Sequence, residues 1–276
     1  MNLQLTIKKC NEILKAAKVL DYKNNTTLLC CFVLNKTKTE LLLINEITKL
    51  NYNKIINLAK KRASGIPLQY LIGYVDFYYN KIYVNKNVLI PRNETEQLCD
   101  IISNEINSNC SLLDLCCGSG CIGLGLKQKN NGLKVTLSDI SKKAIYVTKK
   151  NAKLNNLKVK VVLSDLFENV KGKFDVIVSN PPYIKTADLA KLSVEVKHEP
   201  VIALDGKNSG LTYYYKIIKA APNYLNKNGK IYFECGVTQA QKIAKCLEKN
   251  FDCIKIIKDY YGKQRFVTGV LKSKTC

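Results

Sequence analysis

The sequence predicts an α/β protein: a doubly wound domain with a mostly parallel, seven-stranded sheet, preceded by a small all-α domain and joined to it by a β-hairpin. Three observations predict it. From Ser111 onward, short apolar runs alternate with segments of helical periodicity, the pattern of repeated βα units. Residues 1–66 carry helical periodicity alone. Between them, residues 67–91 alternate aromatic and β-branched side chains, as paired strands do. A chain of 276 residues is long enough for one large domain and a smaller one.

Each element follows in order. Ile7, Ile13, Leu14, Ala17 and Leu20 mark a first helix, and TTLLCCFVL, ELLLINEITKL and NYNKIINLAKKRAS predict three more. In YLIGYVDFYYNKIYVNKNVLIP the alternation predicts a hairpin turning around Tyr79, Asn80 and Lys81, a linker to the remaining residues 92–276. The strands of the large domain are SLLDLCC, KVTLSD, KVKVVLSD, FDVIVS and GKIYFEC, with CIKIIKDY and QRFVTGVLK closing the chain as an antiparallel hairpin. The intervening helices are CIGLGLKQKN, SKKAIYVTKKNAKLNN, GLTYYYKIIKAAPNYL and VTQAQKIAKCLEKN. There is no internal repeat and no low-complexity tail.

Composition narrows the chemistry. The formal net charge is +22, from 44 Lys and Arg against 22 Asp and Glu. Only Arg62, Arg92 and Arg265 are arginines, so the excess is lysine. With abundant asparagine, this reads as a compositional bias rather than a dedicated nucleic-acid surface, although the field still favours acidic partners. His198 is the single histidine, which excludes a Cys2His2 zinc site, a serine triad and a histidine-based metal centre. The 12 cysteines form no C-x-x-C pair and read as reduced, small apolar residues of a cytoplasmic protein. No signal peptide is visible, and LLCCFVL is too short to span a bilayer, so no membrane partner is expected.

The candidate chemistry lies at strand ends. DLCCGSGCIG, Asp114 to Gly123, turns tightly at Gly118 and Gly120 and leads into a helix whose N-terminus offers free N–H groups. Asp139 ends the next strand 19 positions beyond Gly120, near the spacing at which a carboxylate reaches ribose hydroxyls. Gly118, Gly120 and Gly123 also fit the G-x-G-x-x-G of nicotinamide-binding folds, and a packing turn with a surface aspartate is the bland alternative. Asp165 ends the third strand, where it can bond an adenine amino group or merely cap a turn. In FDVIVSNPPYIK, two prolines stop the strand at Ser179 and hold Asn180 extended. The Asn180 side-chain oxygen and the Pro181 carbonyl, which has no local donor from Pro182, can accept both hydrogens of a planar NH2 group while Tyr183 packs on its face. Gripping both N–H bonds favours a pyramidal nitrogen and aims its lone pair at an electrophile with no general base required. The methyl of S-adenosylmethionine is the natural electrophile. The bland reading of NPPY is a rigid turn.

NPPY after DLCCGSG resembles the class I S-adenosylmethionine-dependent methyltransferases that act on planar amino nitrogens. GIPLQYLIGYVDFYYNKIYVNKNVLIPRNETEQL, EPVIALDG and DYYGKQRFVTG are similar to the linker, post-NPPY and closing segments of the HemK/PrmC family, so the resemblance covers nearly the whole chain. It implies a Rossmann-like fold, S-adenosyl-L-methionine as cofactor and, as acceptor, the side-chain nitrogen N5 of the GGQ glutamine in class 1 peptide-chain release factors. It implies that Cys116, Cys117, Gly118, Ser119 and Gly120 line the cofactor's amino-acid moiety. Asp139 would hold the ribose, Asp165 and Leu166 would flank the adenine, and Asn180, Pro181, Pro182 and Tyr183 would hold the glutamine amide. Arg92, Thr95 and Glu96 would shape the pocket, with a salt bridge fixing the linker as the alternative for Arg92. Cys116 stands where the family usually has glycine, and Leu166 where an aromatic is common. Residues 1–66 would recognise the substrate. The chain is expected to be a monomer with no obligatory nucleic acid; a nucleic-acid amino methyltransferase is the rival.

Overall fold

The computed structural model describes residues 1–273 and divides into two compact units, one of Met1–Gly73 with Ser193–His198, the other of Tyr74–Leu192 with Glu199 onward. In the first, α1 (Leu3–Ala16), α2 (Tyr22–Leu34), the one-turn α3 (Lys38–Leu41), α4 (Lys49–Ala63) and α5 (Leu68–Ile72) surround a core that includes Leu3, Leu14, Leu29, Ile55, Ala59 and Leu68. The Asn2 and Thr48 side chains cap α1 and α4 by accepting from the Leu5 and Asn51 N–H groups. Cys10 and Cys30 pack in this core, and burial pushes their thiols up to about 11 and about 12. Arg62 is buried; its Nε donates to Asn25 Oδ1 at 2.9 Å and its fork pairs with Glu195.

One predicted helix is absent. ELLLINEITKL supplies only the end of α3, which a Thr37–Glu40 capping box starts and which stops after one turn, and the first two residues of α4. Beyond it the backbone pairs with the chain start instead: the Leu3 N–H donates to the Asn45 carbonyl and the Ile47 N–H to the Met1 carbonyl. Leu42 and Leu43 are exposed, so the apolar run had no single helical face to bury.

In the second unit, β1 (Tyr74–Phe77) and β2 (Asn80–Tyr83) form the hairpin. Its turn is at Tyr78 and Tyr79, nearer the N-terminus than predicted, because Tyr78 adopts φ +54° and Phe77 pairs with Asn80. Residues 68–72 of the segment expected to lie in the hairpin linker are α5. An unpredicted helix, α6 (Asn93–Glu105), buries Thr95, Leu98, Cys99 and Ile102, a spacing readable as helical.

The main sheet has β3 (Ser111–Leu115), β4 (Lys134–Asp139), β5 (Lys160–Leu163), β6 (Phe174–Ser179), β7 (Leu225–Glu234), β8 (Phe251–Lys258) and β9 (Gln264–Leu271), in the order β5-β4-β3-β6-β7-β9-β8. The first five in that order are parallel, and β9 pairs antiparallel with β7 and β8. Helices α7 (Cys121–Lys129), α8 (Lys142–Leu154), α9 (Thr212–Ala220) and α10 (Ala240–Leu247) cross over between strands. The central strands β3 and β6 are buried almost throughout, as strands covered on both faces must be. Strand order reverses between β3 and β6, so their outgoing loops diverge and leave a crevice at the carboxyl edge. Leu115 is in register with both Ser138 and Ser179, which brings Cys116, Asp139 and Asn180 to that edge together.

Candidate active site

The crevice is a cleft enclosing about 1140 Å³ of non-protein space, its mouth included. Cys116, Cys117, Gly118 and Ser119 line it from the β3 turn, Asp139 from β4, Asp165 and Leu166 from the loop after β5, and Asn180 and Pro182 from the end of β6. Seven strand-end positions picked from sequence at three separate loops therefore face one space with Asn180 and Pro182. Arg92 and Thr95 line it too.

The β3 turn is shaped to receive a ligand. Cys116 adopts φ +60°, a strained conformation for a residue with a side chain. Gly118 adopts φ +56°, and a Cβ on it would meet nothing within 4 Å, so the main chain there faces open space. The turn is fastened by side chains. Asp139 accepts from the Gly118 N–H through one oxygen and from the Ser141 N–H through the other, both at 2.9 Å. Thr148 donates to the Gly118 carbonyl at 2.9 Å. Asn151 donates to the Ser119 carbonyl and exchanges two hydrogen bonds with the Tyr83 backbone, tying the hairpin to the turn. Burial pushes the Asp139 carboxyl above its ordinary value, against those two N–H groups. Each carboxylate oxygen keeps a further lone pair for a hydroxyl donor.

Four sequence-chosen residues are not in the lining. Gly120 starts α7 at φ +81°, and a Cβ on it would come within 2.9 Å of Thr148. The Pro181 ring is buried. The Tyr183 ring, expected over a planar amide, packs instead against the core beside β7, and burial pushes its hydroxyl up to about 12. The backbone of Tyr183 is held: Gln239 donates to its carbonyl at 2.9 Å. Glu96 also turns elsewhere and accepts from the Tyr78 N–H. Arg92 pairs with the buried Glu199, whose other oxygen accepts from the Ile90 N–H, so the linker bridge and the pocket role coexist in one side chain. His198 is exposed.

Sequence reasoning missed Tyr213 and Lys216, which line the cleft from α9 at positions three apart on one face. Their spacing was the available signal. Glu234, which had no expected role, is 2% exposed at the end of β7. Burial pushes its carboxyl up to about 7, against hydrogen bonds from Thr95 and Asn180 and the charge of Arg265. Asp114 is likewise pushed up to about 7 by burial, with one oxygen accepting from the Gly123 N–H at 2.9 Å. Among the described residues no group of three His, Cys, Asp or Glu is arranged to hold a metal, and no helix is long and apolar enough to cross a membrane.

Comparison with known proteins fits this geometry. Residues 6–73 match the PrmC N-terminal domain and residues 93–199 the Methyltransferase small domain. A release factor glutamine methyltransferase of Thermodesulfovibrio yellowstonii is 40% identical over 257 residues, covering 89% of this chain and 91% of that one. One of Buchnera aphidicola is 34% identical over 99% of this chain and 100% of its own. Among solved structures, a Pyrococcus furiosus methyltransferase superposes with TM-score 0.53 at 19% identity, over 70% of this chain and 89% of that one. The Thermus thermophilus 16S rRNA N2 G1207 methyltransferase, in complex with AdoMet and guanosine, gives 0.54 at 17% identity, over 72% and 50%. At those identities the structural likeness concerns the fold.

Proposed function

This chain belongs to the release factor glutamine methyltransferase family, and from that premise we propose how its residues divide the reaction. It transfers a methyl group from S-adenosyl-L-methionine to a glutamine of a peptide-chain release factor. When bound, S-adenosyl-L-methionine supplies an electrophilic methyl group on a cationic sulfonium. Residues 116–119 would receive its amino-acid moiety, with Gly120 shaping the turn behind them, Asp139 would accept from its ribose hydroxyls, and Asp165 and Leu166 would flank its adenine. The acceptor is the side-chain nitrogen N5 of the GGQ glutamine in a class 1 factor. The Asn180 oxygen and the Pro181 carbonyl accept its two hydrogens, which localises the lone pair and orients it toward the methyl group. The amide proton would become acidic only as the new N–C bond replaces the S–CH3 bond, and would then pass to water, so no side-chain base has to remove it first. Pro182 and Tyr183 act through their rigid backbone. Residues 1–66 recognise the protein substrate, with residues 67–91 as linker. The enzyme works as a monomer in the cytoplasm and requires no nucleic acid.

The observation that carries this reading is the shared cleft: the fastened Gly118 turn and Asp139 on one wall, Asn180 on the other, at the point where strand order reverses. Relatives that match nearly end to end are named for a release factor, which disfavours the nucleic-acid alternative. Labelled methyl donor added with the protein to a cell extract tests it. Label removed by protease and resistant to nuclease is expected; the reverse result contradicts the assignment.

A further inference from the structure

A side-chain amide has two ends of nearly equal size, and its covalent structure does not say which end turns into a cleft. The reading of Asn180 above requires the oxygen to do so. Ser179 and Phe233 are the last paired residues of β6 and β7, so Asn180 and Glu234 leave adjacent strand ends side by side. That register sets the Asn180 side chain beside the Glu234 carboxyl, where it favours the ionised form. That carboxylate is itself fixed: Thr95 Oγ1 donates to its Oε2 at 2.8 Å, and Thr95, on α6, is 2% exposed. The Tyr214 hydroxyl donates to the Glu234 carbonyl at 2.8 Å and pins the strand end. An ionised carboxylate only accepts hydrogen bonds. In the ionised form, which prevails above about pH 7, Asn180 can satisfy it only with its NH2 end, which leaves the oxygen for the cleft. Glu234 is not among the residues lining that cleft.

We propose that Glu234 is a positioning residue that sets the amide of Asn180 oxygen-inward, and that Thr95 completes the relay from α6 through β7 to the acceptor site. This inference rests on the reading of Asn180 as the amide grip. It gives a role to two residues of the LIPRNETE and IYFEC segments that do not have to touch the methyl donor to matter.

The test is a double-mutant cycle in the full chain, with release-factor methylation, S-adenosyl-L-methionine binding by calorimetry and thermal unfolding read for every variant. Glu234→Met, of similar volume with no acceptor, is expected to lower kcat by roughly tenfold or more, the cost of about one lost charge-assisted bond, with cofactor affinity kept within about twofold. Glu234→Gln can offer Asn180 either end, so its expected loss is smaller, roughly two- to fivefold. In the Asn180→Ala background both losses should vanish, because the group being oriented is gone. Losses that multiply in the double variants, or a Glu234→Met enzyme with normal kcat, overturn the inference while leaving the Asn180 reading intact. Should Glu234→Met not fold, the Glu234→Gln pair decides by the same criterion. An Asn180→Ala enzyme that itself turns over normally would remove the underlying reading instead.

Discussion

The β3–β4 wall of the cleft is held by its own neighbours in the chain, whereas the β6–β7 wall is held from a distance. On the first, Gly118 is fastened by Asp139, 21 residues on, and by Thr148, 30 residues on. On the second, Thr95 reaches Glu234 across 139 residues, and Gln239 reaches the Tyr183 carbonyl across 56. The purposes differ accordingly. A turn that receives a ligand can be preorganised by the elements that follow it, here β4 and α8. A grip that must aim a single nitrogen lone pair needs its amide and carbonyl fixed against several elements, because small displacements at the reacting centre are costly. The contrast yields mutations that should affect one wall and spare the other.

The largest effect is expected from Asn180→Ala. Turnover should fall roughly 10²–10³-fold, as for loss of one preorganised polar group, with S-adenosyl-L-methionine affinity largely kept. Steady-state rates beside calorimetric titration separate the two, and a variant with near-normal turnover would break the assignment of this wall to the acceptor.

Gly206→Ala attacks the same wall through its backbone. A Cβ on Gly206 would come within 2.7 Å of the Pro182 carbonyl oxygen and 2.8 Å of the Tyr183 Cα, closer than real atoms approach. The prolines must shift, and a misplacement of that kind is expected to cut turnover by up to roughly 10²-fold. Cofactor binding should be nearly unchanged. An equal loss on both measurements would mean that the two walls are mechanically coupled and the contrast is false.

Asp139→Ala should act the other way round. Losing a carboxylate whose bonds to the ribose are together worth about 1.5–3 kcal/mol is expected to weaken S-adenosyl-L-methionine binding by roughly 10–100-fold. Because Asp139 also holds the Gly118 and Ser141 N–H groups, some loss of melting temperature should accompany it. Unchanged affinity in calorimetry would place the ribose elsewhere.

The wall held by neighbours was the readable one in sequence. Two glycines after an apolar run and an aspartate 19 positions on carry local signals and face the cleft or flank it, and on the other wall only NPPY, after the fourth strand, was equally local. The clamps of the other wall carried none. Glu234 is one acidic residue in a strand, Thr95 one hydroxyl on a helix that went unrecognised, and only the sheet order makes them neighbours. Tyr183 was misread for the same reason: its motif suggested a ring over the substrate, but burial against the β7 core gained more than exposure at the rim. In the helical unit, ELLLINEITKL failed as a helix because pairing with residues 1–3, invisible to local periodicity, claimed its backbone.

The smallest expected effect on turnover and cofactor binding lies behind the first wall. Asp114, fully buried, has a folded-state carboxyl at about 7 against an ordinary 3.8. Between those values the native state binds more protons than the unfolded chain, so this group lowers stability as pH rises from about 4 to about 7, by at most about 4 kcal/mol. Asp114→Asn can still accept the Gly123 N–H and does not titrate. The stability advantage of the unsubstituted chain over this variant should therefore shrink between pH 5 and pH 8 in chemical denaturation, with cofactor affinity little changed. A constant difference would show that Asp114 keeps an ordinary carboxyl.

The most direct measurement is site-localised fragment mass spectrometry of a class 1 release factor incubated with this protein and S-adenosyl-L-methionine, in parallel with the Asn180→Ala variant. One methyl group on the side-chain amide of the GGQ glutamine, and none within the same time with the variant, is the predicted result. An unmodified glutamine, with the methyl group found instead on adenine or guanine of added nucleic acid, would contradict it.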